Sequence, residues 1–199
     1  MDRDGIITSV KVKIDELTPD GVALPLEEII GPVLDESARE LLLALPSRLL
    51  DAEDLNLEGI AYSEDKRAYI PVPNDFLKIG KIRFPKWEKT VSTAIKEESP
   101  EYTLENNPYT RGGWSRPTVS LINKDGDTVL ECSKVDGSVA EEKIPTEATY
   151  IKELLPEELP DMLIDSLGWL AASKVLQITG NINGGSAAHS RYEANVRLL

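Results

Sequence analysis

Arginine and aromatic residues are concentrated between residues 97 and 117, a stretch with no helical or strand periodicity. The residues concerned are Tyr102, Tyr109, Arg111, Trp114 and Arg116. Together they could bind an anionic substrate, as in a small enzyme or a ligand-binding module. The same residue types are enriched at protein–protein interfaces. Because no nucleophile, general base or set of metal ligands accompanies them, the sequence favours an interface over a substrate site.

Two residues that often do chemistry occur once each, Cys132 and His189. A single cysteine excludes an internal disulfide and a multi-thiolate metal site, and a single histidine excludes zinc motifs built on a histidine pair. Cys132 falls on a predicted strand, where a buried and unreactive thiol is expected. His189 falls on a predicted helix with no recognisable Ser or Cys nucleophile, and we expect it to be structural. The sequence therefore predicts no catalytic residue, cofactor or metal site.

Two further motifs resemble ligand-binding loops. Residues 180–186 place three glycines ahead of a predicted helix, an arrangement that can cradle a phosphate on free amides. They lack a P-loop lysine and a preceding strand, so they predict a turn between two helices. Asp125 and Asp127 resemble the start of a calcium loop, but the closing glutamate of such a loop is missing. They predict a hairpin turn.

The charge of the chain excludes whole classes of function. Among 199 residues there are 22 basic and 35 acidic side chains, a net charge of −13. The basic footprint of a nucleic-acid-binding protein is therefore absent. No stretch reaches the roughly 18 apolar residues of a membrane-spanning helix, and the charged N-terminus lacks the apolar core of a signal peptide. We expect one domain, residues 1–199, made in a cytoplasm.

Charge is also distributed unevenly along the chain. Residues 66–89 carry seven basic and two acidic side chains, whereas residues 35–65 carry nine acidic side chains and two arginines. Either the two segments pair inside one subunit, or the basic face of one copy meets the acidic face of the next. Contacts of the second kind can close into a ring.

Apolar residues at helical spacing occur in the N-terminal and C-terminal parts of the chain. Residues 26–50 have leucines and isoleucines at three- and four-residue spacings, which predicts helix. Pro32 predicts a break or kink, with the helix restarting at Asp35 or Ser37 as its cap. Two more helices are predicted over Leu159–Ile178 and Ser186–Arg197.

Between these helices the apolar period changes to two. A hairpin is predicted over residues 60–72, and its second strand, which contains Pro71, should be short or lie at a sheet edge. A strand with one wet face is predicted over 87–95, and a long loop over 97–117. The clearest hairpin covers 118–133, around an Asp-Gly turn.

The grouping of these periods predicts an α+β fold. Helices at residues 24–50 and 156–199 should form a bundle, and a mostly antiparallel β module should be inserted at about residues 59–150.

Several of these segments resemble one family. They are the Leu-Ala-Leu-Pro at Leu43–Pro46 that ends a helix, the sequence YIPVPNDF at Tyr69–Phe76 followed by Leu77, Ile82 and Trp87, the Arg116-Pro117 before a strand, and the helix that runs from Leu159-Pro160 to Leu176. In this order, over about residues 24–199, the chain resembles the adaptor proteins of the head-to-tail connector of tailed bacteriophages.

The resemblance implies a structural virion protein rather than an enzyme. Such a protein forms a homo-oligomeric ring, expected to be a homododecamer, beneath the portal and joins it to tail proteins. The genome passes through the ring without specific binding, and the acidic composition suits such a channel because DNA gains affinity only where cations replace its counterions. The strand-rich middle, residues 59–150, departs from the shorter and mostly helical adaptors.

Two groups of residues are candidates for the contacts of such a ring. One group lies in the basic segment and the other at the C-terminus: Lys78, Lys81 and Arg83, then Arg191, Tyr192, Arg197, Leu198 and Leu199. We expect the basic group to meet acidic residues of a neighbouring copy, and the C-terminal group to reach another connector component.

Overall fold

The computed structural model describes residues 1–18, 26–107 and 114–199 and divides the chain into two compact units. The helical unit comprises residues 1–49 and 153–199, and the β unit comprises residues 50–152. The helices are α1 (Arg3–Leu17), α2 (Leu26–Ala44), α3 (Pro100–Asn106), α4 (Asp161–Ile178) and α5 (Ile182–Arg197), and the strands are β1 (Glu53–Asp54), β2 (Ala61–Ser63), β3 (Arg67–Pro71), β4 (Phe76–Arg83), β5 (Ile95–Lys96), β6 (Val119–Lys124), β7 (Asp127–Ser133) and β8 (Glu147–Lys152). The predicted α+β class is confirmed.

Helix α1 precedes the first helix that the sequence predicted. Its N-cap is Asp2, whose side chain accepts a hydrogen bond from the amide of Gly5 at 3.1 Å. Its buried residues, Ile6, Val10 and Ile14, recur every four positions and so share one face. This face packs mainly on α4, and the helix is a fourth member of the predicted bundle.

The predicted break in α2 is wrong, because the helix continues through Pro32. A residue before proline is normally driven out of the helical region by contact of its Cβ with the pyrrolidine ring. Gly31 occupies that position and has no Cβ. Ser37 is not a cap; it lies fully buried inside the helix, and Asp35 instead accepts hydrogen bonds from Arg3 at 2.8 Å.

The turn between α4 and α5 is shorter than the sequence predicted. Gly180, with φ of +85°, ends α4, and the side chain of Asn181 caps α5 by accepting from the amide of Gly184 at 2.9 Å. Helix α5 therefore begins at Ile182 rather than Ser186. Gly184 and Gly185 lie inside it, and a Cβ on Gly185 would come within 3.1 Å of the carbonyl oxygen of Ser173 in α4. Gly185 therefore allows α5 to pack closely on α4, whereas a Cβ on Gly184 would meet the Asn181 cap.

The β unit contains two sheets. One has three antiparallel strands in the order β1-β8-β4, and the other has five strands in the order β2-β3-β7-β6-β5. All named pairs are antiparallel except β5 with β6, in agreement with the predicted mostly antiparallel module. The two predicted hairpins are confirmed as β2–β3 and β6–β7. Asp125 and Gly126 form the second turn with φ of 56° and 97°.

Strand β3 is short rather than at an edge: it has five residues and ends at Pro71, where the missing N–H does not interrupt the sheet. Two other predictions for the β unit are wrong. The segment 87–95 contributes one bridge, between Val91 and Ile82, and no strand before Ile95. The predicted loop 97–117 contains α3, whose N-cap Ser99 precedes a proline at the first helical position, where a missing N–H costs nothing.

The core of the β unit explains why the segment after β4 is irregular. Trp87 is 1% exposed and packs on Phe84 with ring centroids 5.0 Å apart. Its indole N–H donates to the carbonyl of Ser133 at 3.1 Å. A turn at Phe84, closed by the Trp87 amide at 3.0 Å, places the ring in this position. The backbone in this segment is fixed by the buried position of the Trp87 indole, so its side chains do not alternate as they would in a strand.

Candidate functional site

A polar cluster lies between α3 and the five-stranded sheet, and it includes one residue of the predicted substrate loop. Its centre is Glu131 on β7, which is 5% exposed. The hydroxyl of Tyr102 donates to Glu131 Oε2 at 2.9 Å, and Arg67 pairs with Oε1. Arg67 also donates to Asn106 Oδ1 at 2.7 Å. Both oxygens of the buried carboxylate are therefore engaged.

Strand alternation and helix periodicity bring these groups together. On β3 and β7 the pairs Arg67–Ser133 and Tyr69–Glu131 flank the core pair Ala68–Cys132, so they lie on the opposite face of the sheet. Tyr102 and Asn106 are four residues apart and share one face of α3. The cluster joins that face of α3 to the sheet.

A small pocket adjoins the cluster. Besides the four cluster residues it is lined by Asp65, Glu105, Thr118, Ser120, Ser133 and Lys134. The space for a guest is about 10 Å³, enough for roughly one water molecule. Because Glu131 is paired on both oxygens and the space is so small, this arrangement is suited to holding α3 in place rather than to binding and activating a substrate.

Trp114 and Arg116, the other described residues of the predicted substrate loop, do not line this cluster or its pocket. Trp114 packs beneath Lys86, whose Nζ lies 5.2 Å from the ring centroid and also pairs with Glu142 at 2.6 Å. Arg116 is exposed. Tyr109 and Arg111 lie outside the described residues.

The basic segment uses several of its charges within the β unit. Lys66 pairs with Asp136 at 3.2 Å, and Arg67 and Lys86 pair with Glu131 and Glu142 as described. All three acidic partners lie in residues 131–142 and none in the acidic segment 35–65. Hydrogen bonds from Ser138, supported by Lys66, lower the pKa of Asp136 to about 2.

The candidate cations on β4 are not equivalent. Lys78 is half-buried, and desolvation lowers its pKa. Lys81 and Arg83 are exposed, and neither forms an ion pair with another described residue. Of the three predicted interface cations, these two present their charge to the surroundings.

The C-terminal candidates are also divided. Arg191 pairs with Glu16 at 2.7 Å and stacks on Trp169, whose ring centroid lies 4.5 Å from the guanidinium carbon. Tyr192 is 8% exposed, and burial is the main reason that its pKa is raised. Both residues serve the packing of the helical unit. The exposed candidates are Arg197, which is 3.5 Å from Glu193, and Leu198, which is 86% exposed; Leu199 is half-buried.

The single cysteine is buried, as predicted. Cys132 is fully buried, and burial raises the pKa of its thiol. His189 is about half exposed, with Nε2 3.7 Å from Glu193 on the same helix.

Glu131 and Tyr150 were missed in the sequence analysis. The Tyr150 hydroxyl lies 3.2 Å from Asp75 and 3.4 Å from Glu53, and its buried setting with these carboxylates raises its pKa to about 12. For Glu131 a signal was present, because a charged residue flanked by Leu130 and Cys132 in a strand is unusual in a core. No signal in the sequence placed Asp75 and Glu53 beside Tyr150.

Over residues 1–18, 26–107 and 114–199, no group of three or more His, Cys, Asp or Glu side chains is arranged to hold a metal ion. No helix in that same part of the chain has the length and apolar character needed to cross a membrane. A comparison with models of known protein families finds no match, and a comparison with curated protein sequences finds none either.

Proposed function

We propose that this chain is an adaptor ring protein of a bacteriophage head-to-tail connector. In this role it joins the portal to the tail as a homo-oligomeric ring, expected to be a homododecamer, and lines the channel through which the genome passes. It is a structural component of the virion and not an enzyme, and it is assembled into particles in the cytoplasm of the bacterial host.

The observation that carries the proposal is where the segments that resemble connector adaptors lie in the fold. Both ends form one helical unit, and the strand-rich middle forms a second unit inserted between α2 and α4. The segments that resemble connector adaptors lie at defined places in this arrangement. Leu43–Pro46 ends α2, Tyr69–Phe76 leads from β3 into β4, and Leu159–Leu176 covers most of α4.

The charge of the chain supports the same role. A channel for DNA should not hold the phosphate backbone, because cations that replace counterions would slow its passage. The chain has a net charge of −13, and several cations of its basic segment are already paired with carboxylates of the β unit. The polar cluster under α3, with its fully engaged carboxylate, is consistent with a structural part.

Deletion of the gene from the phage that encodes this chain tests the proposal. We expect DNA-filled heads and separate tails to accumulate, because the junction between them is missing. Supplying the unaltered protein from a plasmid should restore infectious particles. Infectious particles formed in normal number without the protein would contradict the proposal.

A further inference from the structure

Opposite charges lie at opposite edges of the three-stranded sheet. Strand β8 is central, β4 forms one edge and β1 the other. Lys81 on β4 and Asp54 on β1 are both in register with Thr149 of β8. With two strand spacings between them, their Cα atoms are about 10 Å apart. The sheet therefore presents a cationic and an anionic edge.

The cations at the β4 edge are available. Lys81 and Arg83 are exposed, and neither has an ion-pair partner among the described residues. Glu147 lies opposite Arg83 in the register but accepts a hydrogen bond from Thr90 at 3.4 Å. Two exposed positive charges on β4 thus remain without an ion-pair partner among the described residues.

The carboxylates at the β1 edge are available as well. Asp54 of β1 is exposed, as are Asp51 shortly before the strand and Glu58 shortly after it, and none of them forms an ion pair with a described residue. Glu53, in contrast, is paired with Lys152 at 2.6 Å. The remaining carboxylates of this edge can therefore receive cations from another molecule.

Near these cations the backbone groups on the outer side of β4 are already hydrogen-bonded. Ile82 and Val91 exchange two hydrogen bonds, at 2.8 and 2.9 Å, on the side of β4 away from β8. A neighbouring chain cannot add a strand at that point. Contact with this edge must use side chains, which favours ion pairs between exposed groups.

We infer that Lys81 and Arg83 of one copy bind Asp51 and Asp54 of the next copy. This inference rests on the proposed ring function and names the surfaces that join its subunits. The two surfaces are different, so the contact is head-to-tail and repeats from copy to copy until the ring closes. Each exposed ion pair is weak, so the ring is stabilised by the sum of the same pairs repeated between all neighbouring copies.

A charge exchange tests this contact in the gene-deletion strain. The pair Lys81→Glu with Arg83→Glu should reduce infectious particles at least about tenfold, and so should the pair Asp51→Lys with Asp54→Lys. A protein carrying all four substitutions has every intersubunit pair reversed, and it should restore particles to near the unaltered level. Such a restoration excludes misfolding as the cause of the losses.

A matched control for the Lys81 and Arg83 variant makes the same change in net charge at other positions. Lys96 and Arg48 are exposed and have no ion-pair partner among the described residues, so Lys96→Glu with Arg48→Glu should leave particle number unchanged. An equal loss in this control, no loss in either edge variant, or no restoration by the fourfold variant would overturn the inference. Each of those results leaves the proposed function standing, whereas normal particles in the absence of the protein would remove that function itself.

Discussion

The helical unit and the β unit are stabilised by different means. In the helical unit the buried polar residues are serines, and its ion pairs involve partly exposed side chains, such as Lys13 with Asp165. The β unit buries the carboxylate of Glu131 and the phenol of Tyr150, each with polar partners. The helical unit is therefore stabilised mainly by apolar contacts and close helix packing. The β unit is stabilised in part by buried polar pairs.

The two units should therefore differ in which substitutions destabilise them. Removal of one partner of a buried pair leaves the other partner buried without its hydrogen bond or opposite charge. The free energy of unfolding then falls by a large amount. In the helical unit steric change should be costly, whereas removal of the buried hydroxyl of Ser37, which has no hydrogen-bond partner among the described residues, should be harmless. Four substitutions test this contrast, from the largest expected effect to the smallest.

Replacement of Glu131 tests the polar cluster of the β unit. Glu131→Ala should lower the free energy of unfolding by about 3–4 kcal/mol, because Arg67 and Tyr102 both lose their partner. Chemical denaturation monitored by tryptophan fluorescence measures this change. The control Glu141→Ala, at an exposed position of the same unit, should change stability by less than about 0.5 kcal/mol. If Glu131→Ala lowered the free energy of unfolding only slightly, buried polar pairing would not distinguish the β unit from the helical unit.

Overpacking at Gly185 tests the close approach of α4 and α5. Gly185→Leu should destabilise by about 2–3 kcal/mol, because even a Cβ would come within 2.7 Å of Gln177 and 3.1 Å of Ser173. The same denaturation experiment applies. Ala187→Leu, on the exposed face of the same helix, is the matched control and should have little effect. Equal stability of the two variants would show that the helices do not depend on this glycine.

The titration of Tyr150 tests the second buried polar group. Its pKa of about 12 should fall toward the ordinary value of 10.0 in Asp75→Asn, because a neighbouring negative charge is removed. Ultraviolet absorbance of tyrosinate measures the change by difference from the unaltered protein. Since the pKa is raised in the folded state, the stability that it provides is complete below pH 10 and is lost as pH rises through about 12. An unchanged titration would assign the raised pKa to burial and Glu53 rather than to Asp75.

The smallest effect is expected at Ser37 in the helical unit. Its hydroxyl is fully buried and has no hydrogen-bond partner among the described residues. Ser37→Ala should therefore stabilise the protein by up to about 1 kcal/mol, because an unsatisfied group is removed and alanine favours helix. The midpoint of thermal unfolding should rise. A fall in that midpoint would mean that the hydroxyl is a useful contact.

Where one local pattern dominated, the sequence predicted the fold. Helix α4 was predicted to within two residues at its start, because its apolar face is long and continuous. The hairpin of β6 and β7 was predicted from its Asp-Gly turn. In both elements local preference and tertiary packing agree.

Predictions failed where a distant partner decides the local structure. Gly185 lies in α5, where a Cβ would meet α4. Trp87 draws the segment after β4 into the core. The polar cluster could not be predicted for the same reason, since Tyr102 and Glu131 are 29 residues apart and meet only across α3 and the sheet. The continuation of α2 through Pro32 is a different case, because it depends on Gly31 directly before the proline.

Imaging of intact particles at a resolution that separates side chains is the most direct test of the central claim. We expect this chain to form a closed ring between portal and tail, with its helical and β units recognisable in each subunit. Absence of the chain from the junction between head and tail, or its presence there as isolated copies, would contradict the account.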